Sequence, residues 1–114
     1  MANPVVHFEI HGMDAAKTQK FYGDLFGWKI DANNPWNYGM VDTQAGAGIN
    51  GGLCGGERTM VTVYVQVPDL QATLDRVVKL GGAVTMPITQ IPDGPTIAMF
   101  ADPDGNPIGL IKAE

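Results

Sequence analysis

The chain contains no serine, so a Ser-His-Asp arrangement is excluded. It has one cysteine, Cys54, which excludes an internal disulfide and predicts a reducing, cytoplasmic setting. No His or Lys is placed by the sequence to lower the pKa of that thiol, so it reads as an inert small residue rather than a nucleophile. Basic residues are scarce. Seven Lys and Arg against twelve Asp and Glu give a net charge of −5 and a pI of about 4.7, the wrong sign for a nucleic-acid partner. No apolar run has the length of a membrane span and no charged-then-apolar leader opens the chain, so no membrane role is expected. The glycine-rich stretch over 46–56 matches no phosphate-cradling template, and no lysine follows it. What remains is an acidic chain of 114 residues with 45% hydrophobic content and mean hydropathy +0.00, the size and balance of one globular domain.

The stretch Val5–Trp28 organises that domain. Val6, Phe8 and Ile10 alternate with Val5, His7 and Glu9, the period of a strand with one face in a core. Gly12-Met13-Asp14 turns the chain, and Asp14 is a good N-cap. Ala15, Thr18, Phe21, Tyr22 and Leu25 then recur at three- and four-residue spacing, predicting an amphipathic helix that faces the sheet and stops at Gly27. The strand's second face carries a His and a Glu where a core would take apolar residues. Functional groups are expected on that face.

Shifted by 55 positions, this stretch lies on the segment that begins at Met60. Asp14 falls on Asp69, Leu25 on Leu80, Gly27 on Gly82, and the strand Val5–Ile10 on Met60–Val65, which continues to Val67. The second helix, capped by Asp69, is expected to bury Leu70, Leu74 and Val77 and to end at Gly81-Gly82. Three short strands are predicted after each helix: near Trp28–Asp31, Asn37–Asp42 and Gly48–Cys54, and again near Ala83–Met86, Thr96–Ala101 and Pro107–Lys112. Loops are expected at Asn33–Pro35, Gln44–Gly48 and Ile88–Pro95, with a turn at Asp102–Gly105. The agreement of strand, cap, helix length and glycine stop makes duplication the better reading. The expected fold is α+β: two βαβββ modules, residues 1–55 and 56–114 of a single domain, forming curved, barrel-like mixed sheets around a pocket. Phe8, Phe21, Leu25, Leu53, Leu74, Val77 and Leu110 are the expected core.

The series His7-Phe8-Glu9-Ile10, Asp14, Phe21-Tyr22, Leu25-Phe26-Gly27-Trp28, Gly51-Gly52-Leu53, Val67-Pro68-Asp69-Leu70, Leu80-Gly81-Gly82 and Asp102-Pro103-Asp104-Gly105 resembles the vicinal oxygen chelate superfamily. That group holds glyoxalase I, the bleomycin- and fosfomycin-resistance proteins and the extradiol dioxygenases, and the likeness spans essentially the whole chain. Its metalloenzymes carry four His or Glu ligands on the first and last strand of each module. The resemblance puts these at His7, Thr62, Gly52 and Gly109, so one ligand type of four is present. A lone imidazole does not hold a divalent ion tightly. No tightly bound metal cofactor is therefore expected, and no glyoxalase activity on adding metal.

Several side chains are candidates for a metal-free site. His7 is either a relic of a metal site or a polar pocket group, hydrogen-bonded to Glu9 or to a carbonyl. Glu9 is either paired with His7 or a general base raised by an apolar trough; these two are the catalytic candidates. His11, at the strand's end, reads as a turn residue. Trp36 and Tyr38 follow a Pro-containing turn and offer rings for stacking on a ligand. Thr62, Tyr64 and Gln66 alternate with valines and point their polar tips to the trough, while bare backbone at Gly52 and Gly109 leaves room for a ligand. The expected function is a metal-independent small-molecule binder like the bleomycin-resistance branch, with a pocket between modules and homodimeric pairing. The alternative is an enzyme, either a lactoylglutathione-lyase-like lyase or isomerase or a metal-free acid/base catalyst using Glu9 or His7.

Overall fold

A computed structural model describes residues 2–113. The element order is β1 (Val5–Gly12), α1 (Ala15–Phe26), β2 (Lys29–Asp31), β3 (Gly39–Asp42), β4 (Gly51–Gly55), β5 (Met60–Val67), α2 (Leu70–Lys79), β6 (Ala83–Gln90), β7 (Thr96–Ala101) and β8 (Pro107–Lys112). The fold is α+β, and the β-α-β-β-β order occurs twice, as the 55-residue repeat predicts. The chain forms two compact units. One is His7–Thr62; the other runs from Val63 onward and includes the residues before His7.

Both helices start and stop where their caps dictate. The Asp14 carboxylate accepts from the Lys17 amide at 3.2 Å, and Asp69 does the same for Ala72 at 3.0 Å. Gly27 closes α1 in the left-handed conformation at φ 70°, its amide donating to the Gly23 carbonyl. After α2, Gly81 takes φ 98°, and the Gly82 amide bonds back to the Val77 carbonyl at 2.8 Å.

In the first unit the strand order is β2-β3-β4-β1. β1 runs parallel to β4, and the other two pairings are antiparallel. Leu53 and Val41 are its buried aliphatics. Beside them Phe8, Tyr22, Phe26 and Trp28 form a ring cluster, with Trp28 centred 5.4, 6.0 and 4.9 Å from Phe8, Tyr22 and Phe26. In the second unit the order is β5-β8-β7-β6, with β5 parallel to β8. Its core is aliphatic: Val67, Leu70, Leu74, Ala98 and Leu110, with Val65 and Phe100 packed against them.

Several expectations require correction. Leu53, Leu74 and Leu110 are buried as expected, but Phe8 and Val77 are half-buried, and Phe21 and Leu25 are 60% and 58% exposed. The face of α1 turned inward is Ala15, Thr18, Gln19, Tyr22 and Gly23. Gly23 lets the helix lie against Ile30, and that close approach rotates the bulkier Phe21 and Leu25 outward. The first-module strands β2, β3 and β4 begin one to three residues later than predicted. The loop expected over Ile88–Pro95 is shorter, because β6 continues to Gln90. It does so with register shifts between Val84 and Met86 and between Met86 and Thr89. Pro87 is tolerated between them because β6 ends its unit's strand order, where a missing ladder donor costs least. The Asp102–Gly105 segment is the predicted turn, held by the Asp102 carboxylate, which accepts from the Asn106 side chain and from the amides of Asp104 and Asn106.

Candidate functional site

His7, Glu9 and His11 alternate along β1 and so share one face of it. Glu9 is the most buried of the strand at 8% exposure, although the alternation placed the core on the opposite face. A carboxylate so far from water must be bonded. It accepts from the Tyr38 hydroxyl at 2.8 Å on Oε2 and from His11 Nε2 at 2.5 Å on Oε1. The Tyr38 oxygen in turn lies 2.8 Å from His7 Nε2. Since the single Tyr38 proton is committed to Glu9, His7 must donate from Nε2, which leaves Nδ1 as the acceptor nitrogen of a neutral ring. Burial pushes the His7 pKa below its usual value, against an opposing pull from the Glu9 charge. The result is a chain, His7–Tyr38–Glu9–His11, in place of the direct His7–Glu9 pair considered from sequence.

Tyr38 reaches this chain from the loop before β3, and two side chains hold it there. Asn34 accepts from the Tyr38 amide at 2.9 Å and donates to its carbonyl at 2.7 Å. Gln19, on α1, donates to the carbonyls of Asn37 and Leu53 at 3.0 and 3.1 Å, tying the loop to β4. Neither was singled out from sequence, since amide clamps leave no periodic signal. Trp36, on the same loop, is exposed, and its amide bonds to Asn34 at 3.2 Å.

The glycines of the candidate set are in use. A Cβ on Gly52 would run into the Tyr38 hydroxyl and ring, and one on Gly109 would meet the Tyr64 ring at 2.5 Å. The room expected for a ligand at each is therefore taken by a tyrosine. Thr62 and Tyr64 are buried, and Gln66 is half-buried. The same observation tests the superfamily's metal set. Where two of its ligands would stand there are glycines roofed by phenol rings, and Thr62 offers a neutral hydroxyl. These residues do not fit a divalent ion.

His7 also lines an open hollow of about 360 Å³ with Lys29, Asp31, Met40, Asn50 and Gly51. Another of about 380 Å³ is lined by His11, Thr18, Tyr22 and Thr59. Cys54 pairs in register with His11 across β1 and β4. Burial, and then the Glu9 charge, push its thiol up to about 12, the opposite of the shift that activates a thiolate. His11, read from sequence as a turn residue, instead belongs to the site. The signal that would have found it is the period-two continuation of β1 through Gly12. Among the described residues, no helix is long and apolar enough to cross a membrane.

The chain matches the family model of the Glyoxalase/Bleomycin resistance protein/Dioxygenase superfamily over residues 5–110. The "Putative glyoxylase CFP32" of Mycobacterium bovis is 32% identical over 116 aligned residues, covering 92% of this chain and 44% of that protein. The chain thus spans less than half the length of this relative. A superfamily member from Vibrio splendidus superposes with a TM-score of 0.69 at 18% identity, over 98% of this chain and 100% of the other. Methylmalonyl-CoA epimerase from Mycobacterium tuberculosis does so with 0.68 at 15% identity, over 96% and 87%. These two likenesses are of fold. With a family model matched from the first strand to the last and the duplicated βαβββ order in place, the chain belongs to the glyoxalase/bleomycin resistance/dioxygenase superfamily.

Proposed function

We propose that the protein binds a small molecule without a metal at the positions the superfamily uses. The observation that carries this reading is the chain His7–Tyr38–Glu9–His11, which ends on a neutral imidazole lining the 360 Å³ hollow. A buried network of this kind holds His7 in one tautomer and orientation, so the ring meets a ligand preorganised. The hollow has the volume of a small-ligand site, and the net charge of −5 favours a neutral or cationic ligand. The reading includes a homodimer, supported by the exposed apolar side chains of Phe21, Leu25 and Phe26. It also includes a cytoplasmic location, supported by the lone thiol of Cys54.

The test is a thermal-shift screen of a small-molecule library on the wild type and on His7→Ala and Tyr38→Phe, each checked for folding by circular dichroism. Ligands whose stabilisation disappears in both variants are the expected result. Ligands that stabilise all three proteins equally would place the site elsewhere. A glyoxalase assay with added nickel or zinc should give no turnover, and metal-dependent turnover would overturn the reading.

A second reading is metal-free acid/base catalysis. Its support is the lowered pKa of His7, which keeps the imidazole an acceptor near pH 7. Proton exchange from a bound carbon acid that stops in His7→Ala would favour it over binding alone.

A further inference from the structure

The parallel register of β1 and β4 sets His11 opposite Cys54 and Glu9 opposite Gly52. Glu9, His11 and Cys54 therefore stand together on one face of two hydrogen-bonded strands, and their carboxylate oxygen, imidazole nitrogen and sulfur lie within 4.8 Å of one another. We propose that Glu9, His11 and Cys54 form a zinc-binding site, with a fourth position left for water.

The donor set selects the ion. One thiolate, one imidazole and one carboxylate are the three protein ligands of an open tetrahedral zinc centre, whereas magnesium and calcium require a shell of oxygens. Strand backbones carry all three ligands, so the trio needs only side-chain rotation to close on an ion. The second shell is in place as well. Tyr38 donates to Glu9 Oε2, which leaves Oε1 on His11. An entry path exists because His11 lines the 380 Å³ hollow.

The cation also resolves an electrostatic tension. Without it, Cys54 sits partly buried beside an anionic carboxylate and holds its proton tightly. An ion among the three ligands supplies the positive charge that makes a thiolate favourable there. Zinc displaces the Cys54 proton, which is released to solvent, while the neutral His11 ring moves its proton from Nε2 to Nδ1 and coordinates through Nε2. The site shares no residue with the His7, Thr62, Gly52 and Gly109 set, but it shares Glu9 and His11 with the chain that orients His7. The two readings are told apart because zinc binding requires Cys54 and the ligand site requires His7.

The experiment is titration of the chelator-stripped protein with Zn²⁺ by calorimetry and with Co²⁺ by absorption. One equivalent should bind, and the cobalt form should show a sulfur-to-metal charge-transfer band with four-coordinate visible absorption. Cys54→Ser should abolish the charge-transfer band, and His11→Ala should weaken binding by at least about tenfold. Cys54→Ala, which adds no new oxygen donor, should behave as Cys54→Ser does. The proposal is overturned by the absence of saturable binding, by a cobalt complex with no thiolate band, or by binding that survives Cys54→Ser but is lost in His7→Ala. The last result would assign the metal to the superfamily's own positions.

Discussion

Glu9 and Tyr64 occupy equivalent places in the two repeats, 55 residues apart, and each stands opposite a glycine on the last strand of its unit, Gly52 and Gly109. The two units solve the same gap differently. In the second, the Tyr64 ring lies over Gly109 directly and its unit closes on an aliphatic core. In the first, Glu9 cannot fill that volume, and Tyr38 comes in from a loop to cover Gly52 and satisfy the carboxylate. The helices follow suit: α2 buries Leu70 and Leu74, whereas α1 buries no residue fully. One copy has become scaffold, and the other has exchanged packing for a polar network. Titratable groups cluster where core packing was surrendered.

The largest expected effect tests the packing half of that contrast. Leu74→Ala should cost about 2–5 kcal/mol, because it empties a buried site. Lys17→Ala, on the exposed face of α1, should stay within about 0.5 kcal/mol. Urea denaturation of both variants gives the comparison, and equal losses would break it.

The glycines come next. Gly109→Ala should cost about 1–3 kcal/mol, since the Tyr64 ring is buried in a strand and has nowhere to move. Gly52→Ala should cost a comparable amount, because it drives the clamped Tyr38 hydroxyl off the buried Glu9 carboxylate, and its further signature is lost ligand binding. A Gly52→Ala protein that keeps the ligands found for the wild type would show that Tyr38 is not needed at its place over β4.

Tyr38→Phe should cost about 1–2 kcal/mol, the usual loss when a buried acceptor forfeits a hydrogen bond. Tyr22→Phe, in the ring cluster, should cost less, and similar values from thermal melts would argue that the Tyr38 hydroxyl adds nothing beyond its ring.

The smallest effect is on pH dependence. His7 has a lowered pKa in the folded protein, so below its unfolded value of 6.5 the unfolded chain binds the proton more strongly. Stability should therefore fall as pH drops below about 6.5, levelling once the folded His7 also protonates. His7→Gln should flatten this part of the profile in urea midpoints measured from pH 8 to 5. An unchanged slope would mean that His7 is not held neutral by burial.

Local rules were enough for much of this molecule. Asp14 and Asp69 as caps, Gly27 as a stop and the alternation through β1 and β5 each depend on neighbours within a few residues, so the duplicated βαβββ order could be read from the chain alone. His7 and Glu9 were likewise visible as misplaced polar groups in an apolar pattern, and Tyr38 as a ring offered by the turn before β3. Which face of α1 turns inward was decided by the contact of Gly23 with Ile30, and no helical period encodes that. The proximity of Cys54 to His11 depends on the parallel register of β1 and β4, strands separated by a helix and two further strands. Register is a property of the paired sheet. That is why a residue read as inert and another read as a turn came to stand beside Glu9 only in the tertiary structure.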